Sequence, residues 1–264
     1  MALSSFRPLV FRKRRIGRDG APAICVSLMS ATVGDLVDEA CALLAKRDGP
    51  DVLEWRADFF ADAHDASMIA TAATRLRAGI ESNQPSAGLI FTLRHRSEGG
   101  QSNHGDSQAL AAYRAACESG SVDAIDTEFA RADEFRTAVK AAAKTANVAV
   151  IFSAHDFVQT PPRDQMLQRL RAMAGAGADV VKLAVMPQHE ADVNALLDAV
   201  SHASREIGVP IVAMSMGELG KRSRIEGARF GSAMSFAAGR AASAPGQIAI
   251  DDLKSHMRAA GIEI

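Results

Sequence analysis

The chain has only three cysteines in 264 residues, Cys25, Cys41 and Cys117, far apart and without CxxC spacing. That argues against a disulfide framework or a cysteine-held zinc site and fits reduced thiols in a cytoplasmic protein. Charge of one sign is also missing: 30 Lys and Arg stand against 31 Asp and Glu, leaving a net −1. There is therefore no global pull toward nucleic acid or an anionic membrane. No apolar run approaches the length of a membrane span. No GxGxxG follows the first strand-like run, and no residue-level repeat is visible. The clustered histidines or carboxylates of a zinc or magnesium centre are lacking as well, so no metal is expected. What remains is a chain that is 48% apolar and 23% charged. Such a chain can bury a sizeable core, at a length that α/β barrels often fill as one domain.

From residue 24 onward, short β-rich runs alternate with longer amphipathic segments. Ile24–Ser30 precedes a helix over Val33–Lys46, in which Leu36, Val37, Ala40, Leu43 and Leu44 recur at helical spacing. The next runs are Val52–Phe59, Leu89–His95, Val122–Phe129, Val148–His155, Val180–Met186, Ile211–Met216 and Ala233–Ala237, each followed by a helical pattern. Eight strand–helix units without a linker predict an α/β fold, a (β/α)8 TIM barrel forming a single domain over 1–264. The basic cluster Arg12-Lys13-Arg14-Arg15 is interleaved with apolar residues and followed by a turn. It reads as an N-terminal β-hairpin over 1–22 closing the bottom of the barrel, its charges on a solvated face.

Barrel enzymes place their chemistry at the carboxyl ends of the strands. Glu54 and Arg56 share a face of the second strand and Asp126 and Glu128 a face of the fourth, because alternate strand residues are co-directional. Either pair could be a structural ion pair, and Asp126/Glu128 fits that role better. Arg94 ends the third strand, with Glu98-Gly-Gly in the loop beyond it. Ser153 and His155 close the fifth, Lys182 lies on the sixth, Met214 and Met216 on the seventh, and Arg224 follows. Lys182, in Val-Val-Lys-Leu-Ala-Val, is open to two readings: a strand lysine paired with a carboxylate, or a desolvated amine able to form a Schiff base. A histidine beside such an amine can remove the proton that an iminium acidifies. Arg56, Arg94 and Arg224 offer forked donors for an anionic, hydroxylated substrate. The small-residue stretch 241–247 reads as a lid loop bearing Ser243 and Gln247.

Several stretches together carry a resemblance: Leu-Glu-Trp-Arg-Ala-Asp (53–58), Phe-Thr-Leu-Arg with Glu-Gly-Gly (91–100), Ser-Ala-His-Asp-Phe (153–157), Val-Lys-Leu-Ala-Val-Met-Pro (181–187), Met-Ser-Met-Gly with Ser-Arg (214–224) and Ala-Ser-Ala-Pro-Gly-Gln-Ile (242–248). In this order they resemble the type I 3-dehydroquinate dehydratases, Schiff-base barrel enzymes of the shikimate pathway leading to chorismate and the aromatic amino acids. The resemblance implies that Lys182 forms an imine with 3-dehydroquinate, that His155 is general base and acid, and that Glu98 orients it. It implies that Arg224 binds the carboxylate, while Ser27, Glu54, Trp55, Arg56, Arg94, Met214, Phe236, Ser243 and Gln247 contact substrate or line the pocket. It also implies a cytoplasmic homodimer that needs no cofactor. Three departures stand out: Ala154 before the histidine, Phe129 after Asp-Thr-Glu, and the polar stretch Arg96–Gln108. A class I aldolase would share the lysine but would usually set acids beside it and bind phosphorylated substrates. A silent barrel would have no chemical reason to keep His155, Lys182 and Glu98 together.

Overall fold

Strands buried on both faces alternate with helices that cover them, as parallel sheets require. The computed structural model of the chain describes residues 6–11, 14–16 and 21–264. After a short two-stranded pair, β1 (Leu9–Phe11) and β2 (Arg14–Ile16), come β3 (Ala23–Leu28), β4 (Val52–Arg56), β5 (Gly88–Thr92), β6 (Ala124–Glu128), β7 (Ala149–Asp156), β8 (Val180–Val185), β9 (Ile211–Ser215) and β10 (Met234–Ala237). Between and after them run α1 (Val33–Leu44), α2 (Ala66–Asn83), α3 (Asp106–Glu118), α4 (Asp133–Thr145), α5 (Arg163–Gly175), α6 (Glu190–Glu206), α7 (Lys221–Glu226) and α8 (Ile250–Ala259). One eight-stranded sheet has the order β10-β3-β4-β5-β6-β7-β8-β9. The amide of Ala233 donates to Ile211 and that of Ala23 donates to Ala233, so the eighth strand bonds to both ends of the series. This is the (β/α)8 barrel expected from the alternation. No helix among the described residues is long and apolar enough to cross a membrane.

Two compact units make up the chain. One is Val26–Ile151 with Phe11–Arg14; the other is Phe152–Ile264 with the described residues of Met1–Val10 and Arg15–Cys25. In the first unit, the parallel register pairs Arg56 with Thr92 and Thr92 with Asp126, and Trp55 with Phe91 on the opposite face. Trp55, Phe91, Tyr113 and Phe135 form a chain of edge-to-face rings between sheet and helices, a geometry favoured by the ring quadrupoles. Helices start on side-chain caps: the Thr32 hydroxyl accepts from the Asp35 amide before α1, and Asp65 accepts from Ser67 and Met68 before α2. Each bond satisfies an otherwise orphaned amide of a first turn. In the second unit, Lys182 pairs with Val212 and Ala184 with Met214, which puts Lys182 and Met214 on one face.

The N-terminal pair lies near strand starts. Phe11 packs against Gly88, the first residue of β5, and the Arg7 amide donates to Gly208 just before β9. Arg12, Lys13 and the turn at 17–20 lie outside the described residues. Two strands end sooner than their composition suggests. After Arg56 the chain tightens into a 3-10 turn, Ala57–Phe59, and a second one, Arg96–Glu98, follows β5. The expected extension Ala57–Phe59 is therefore a turn carrying Asp58, while Glu98 sits in a turn within the loop expected after the third strand.

Candidate active site

The first unit carries a network of buried charge at its strand ends. Glu54 accepts from the Ser27 hydroxyl at 2.6 Å and from the Thr92 hydroxyl at 3.0 Å. Arg56 makes a two-pronged bond to Asp58, both arms 2.8 Å, so its resolved carboxylate partner is Asp58, two residues on. Arg94 reaches Asp126 at 2.6 Å and Glu128 at 3.2 Å. The structural ion pair expected of Asp126 and Glu128 is thus present, and its cation is Arg94. Burial opposes the charge of Arg94, but Asp126, Glu128, Glu98 and Glu54 more than offset it and hold the guanidinium well above its ordinary pKa. From behind, the Tyr113 hydroxyl donates to the Asp126 carbonyl at 2.9 Å.

Glu98 is buried in the turn after β5. That turn folds back so tightly that a Cβ on Gly100 would fall 1.9 Å from the Arg94 carbonyl. Only glycine permits so close a backbone approach.

The second unit holds the other group of expected residues. His155, half-buried at the end of β7, stacks on Phe157 with ring centroids 6.4 Å apart. Lys182, on the neighbouring β8, is only 5% exposed. Its amine stands 4.2 Å above the ring of Phe236 on β10. Arg224 is 2% exposed. It donates to the Met214 sulfur at 3.5 Å and to the carbonyls of Phe236 (3.3 Å) and Pro245 (3.2 Å). Its Nε has no partner among the described residues. Burial without a facing carboxylate pushes its pKa down to about 10.

The 241–247 loop is knitted to itself and docked on this group. The Gln247 amide donates to the Ser243 hydroxyl at 2.9 Å, and the Ser243 N–H donates to the Gln247 side-chain oxygen at 2.7 Å. The Pro245 carbonyl accepts from Gly217 as well as from Arg224. Gly246, at φ +75°, lies with its Cβ position 2.0 Å from the Gly217 carbonyl. A side chain there would break the docking.

One expected pocket residue is misplaced. Trp55 does not share a face with Glu54 and Arg56: it is fully buried in the aromatic chain on the helix side. Alternation along β4 forces this, since a residue between two inward ones points outward. The sequence reading missed Asp58, although it closes the stretch Glu-Trp-Arg-Ala-Asp; its signal was an acid two residues beyond an arginine at a strand end. Among the described residues, no group of three or more His, Cys, Asp or Glu side chains could hold a metal ion.

A (β/α)8 scaffold with titratable side chains at its strand ends defines a barrel enzyme. The sequence model of the type I 3-dehydroquinase family matches residues 24–263. The chain is 45% identical over 239 residues to a 3-dehydroquinate dehydratase of Salmonella paratyphi B, covering 90% of this chain and 92% of that protein. It superposes on the type I 3-dehydroquinate dehydratase of Clostridium difficile, solved with covalent modified comenic acid, with TM-score 0.90 and 35% identity, over 97% and 98% of the two chains. The 3-dehydroquinate dehydratase of Geobacillus kaustophilus gives TM-score 0.88 and 34% identity, over 97% of each chain. The chain belongs to the type I 3-dehydroquinase family. Its activity is that of a dehydratase acting on 3-dehydroquinate, a hydro-lyase.

Proposed function

We propose that the reaction runs through a Schiff base on Lys182. The observation that carries this is the burial of its amine, set over the Phe236 ring on an otherwise apolar strand. Desolvation favours the uncharged amine, and an uncharged amine is the nucleophile. It adds to the C3 ketone of 3-dehydroquinate and expels water to give an imine. The protonated imine withdraws electrons and acidifies the C2–H bond. His155 takes that proton and then delivers one to the C1 hydroxyl, which leaves as water. Water returns to the imine, releasing 3-dehydroshikimate and the free amine, so the net change is the loss of one water. The imine is the electron sink, and the steps require no metal or organic cofactor.

Glu98 sets the tautomer and tilt of His155, as the acid of a triad does. Arg224 receives the substrate carboxylate: among the described residues its buried charge meets no carboxylate, and a carboxylate matches its fork. Ser27, Glu54, Arg56 and Arg94 meet the hydroxyls, Met214 and Phe236 form the apolar wall, and 241–247 closes as a lid over the bound ligand. The working enzyme is a cytoplasmic homodimer, each chain acting as one barrel domain. Borohydride reduction with 3-dehydroquinate, followed by peptide mass analysis, tests the central step. A stable adduct is expected on Lys182, and an unmodified lysine in turning-over enzyme would refute it. His155→Ala should still be trapped while scarcely turning over.

A further inference from the structure

We propose that Asp58 is a positioning residue that fixes both the Arg56 fork and the turn carrying Glu98, an assignment that rests on the dehydratase reading above. Its side chain is wholly enclosed. One oxygen accepts from Arg56 Nε at 2.8 Å and from the Arg94 amide at 3.3 Å. The other accepts from the second Arg56 arm at 2.8 Å and from the Gln101 amide at 2.9 Å. The two oxygens therefore take four donors from three places: the end of β4, Arg94 two residues past β5, and the far limb of the turn around Glu98. The same turn is pinned at its neck by the Ser102 amide donating to Arg94 and the Arg96 amide donating to Ser102. Asp58 is the one side chain in these bonds that joins the turn to β4.

The chemistry of the group makes it selective. A carboxylate accepts on both oxygens, whereas an amide of the same shape has one oxygen and one donor. Asp58→Asn therefore sets an NH2 group against one of two donor pairs, either the second Arg56 arm with the Gln101 N–H or Arg56 Nε with the Arg94 N–H, and both links of that pair must open. If the Gln101 link opens, Glu98 loses its fixed placement, and a shift of about 1 Å in a catalytic group can cost roughly 100-fold in rate.

Asp58→Asn is expected to lower kcat by about 10- to 100-fold and to raise KM several-fold through Arg56, while borohydride still traps substrate on Lys182. In a Glu98→Gln background the same substitution should change kcat by less than about 2-fold, because residues acting as one unit are not additive. Amide exchange should quicken across 95–102 and stay slow in β5 and β6. Should Asp58→Asn fail to fold, Asp58→Glu keeps the charge and displaces it by one methylene; it should lower kcat with little change in Tm. An undiminished kcat in a variant that still forms the Lys182 adduct would overturn this inference and leave the dehydratase reading standing. So would a kcat loss that multiplies in full on the Glu98→Gln background, which marks a general structural ion pair. Absence of the adduct in the unaltered enzyme would bring down both.

Discussion

Arg94 and Arg224 are both almost completely buried, one in each unit, yet their surroundings are opposite. Arg94 lies among Asp126, Glu128, Glu98 and Glu54, which hold its proton firmly. Arg224 meets a thioether and two carbonyls, and burial alone weakens its hold on the proton. A buried charge that is already paired is part of the scaffold; one without a counterion is costly until a ligand supplies it. The difference separates a guanidinium that carboxylates already pair from one that, among the described residues, meets only neutral acceptors.

The contrast breaks most visibly through stability. Arg94→Met strands Asp126 and Glu128 in the interior and should cost about 3–5 kcal/mol, read as a fall in Tm and in the urea midpoint. Arg224→Met removes a charge that no carboxylate pairs among the described residues and should leave Tm unchanged or raised. It should instead raise KM for 3-dehydroquinate by roughly 10- to 100-fold, the worth of about 1.5–3 kcal/mol of charged hydrogen bonding. Equal stability losses in the two variants would erase the distinction. A saturating carboxylate analogue sharpens it further: thermal stabilisation by about 2.7 kcal/mol at 100-fold excess over Kd should appear in the unaltered enzyme and shrink in Arg224→Met.

The smallest effect concerns the exposed cap of α2. Hydrogen bonds from the Ser67 side chain and from the Ser67 and Met68 amides hold the Asp65 carboxyl below its usual pKa. A group depressed on folding contributes stability above its unfolded pKa and loses it as pH falls through the folded one. Asp65→Ala should therefore be destabilising near neutrality, with the difference from the unaltered protein narrowing in acid. Chemical denaturation at several pH values measures it, and a cost that stays constant into acid would show that the charge is irrelevant.

Much of this molecule was readable in advance where the signal is local. The β/α alternation from Ile24 to Ala260, the burial of Val180–Val185 on both faces and the placement of Glu54, Arg56, Asp126 and Lys182 on strands all follow from short-range period and polarity. Trp55 fell inside a polar stretch and was grouped with its neighbours, although the same alternation turns it to the helices. The turn at Ala57–Phe59 was hidden because its residues are compatible with strand, and its Asp58 is tied to the loop after β5 by the Gln101 N–H, which donates to it across 43 positions.

By itself, the sequence determined the succession of elements and which side chains share a strand face, because those depend on neighbours one to four residues away. The folded chain alone settled the partners of two buried arginines: Asp126 and Glu128 for Arg94, carbonyls and a sulfur for Arg224. Partnership between charges depends on parallel register and on loops folding back over strand ends. Those are set by packing of the whole sheet, where residues more than thirty positions apart come within hydrogen-bonding distance.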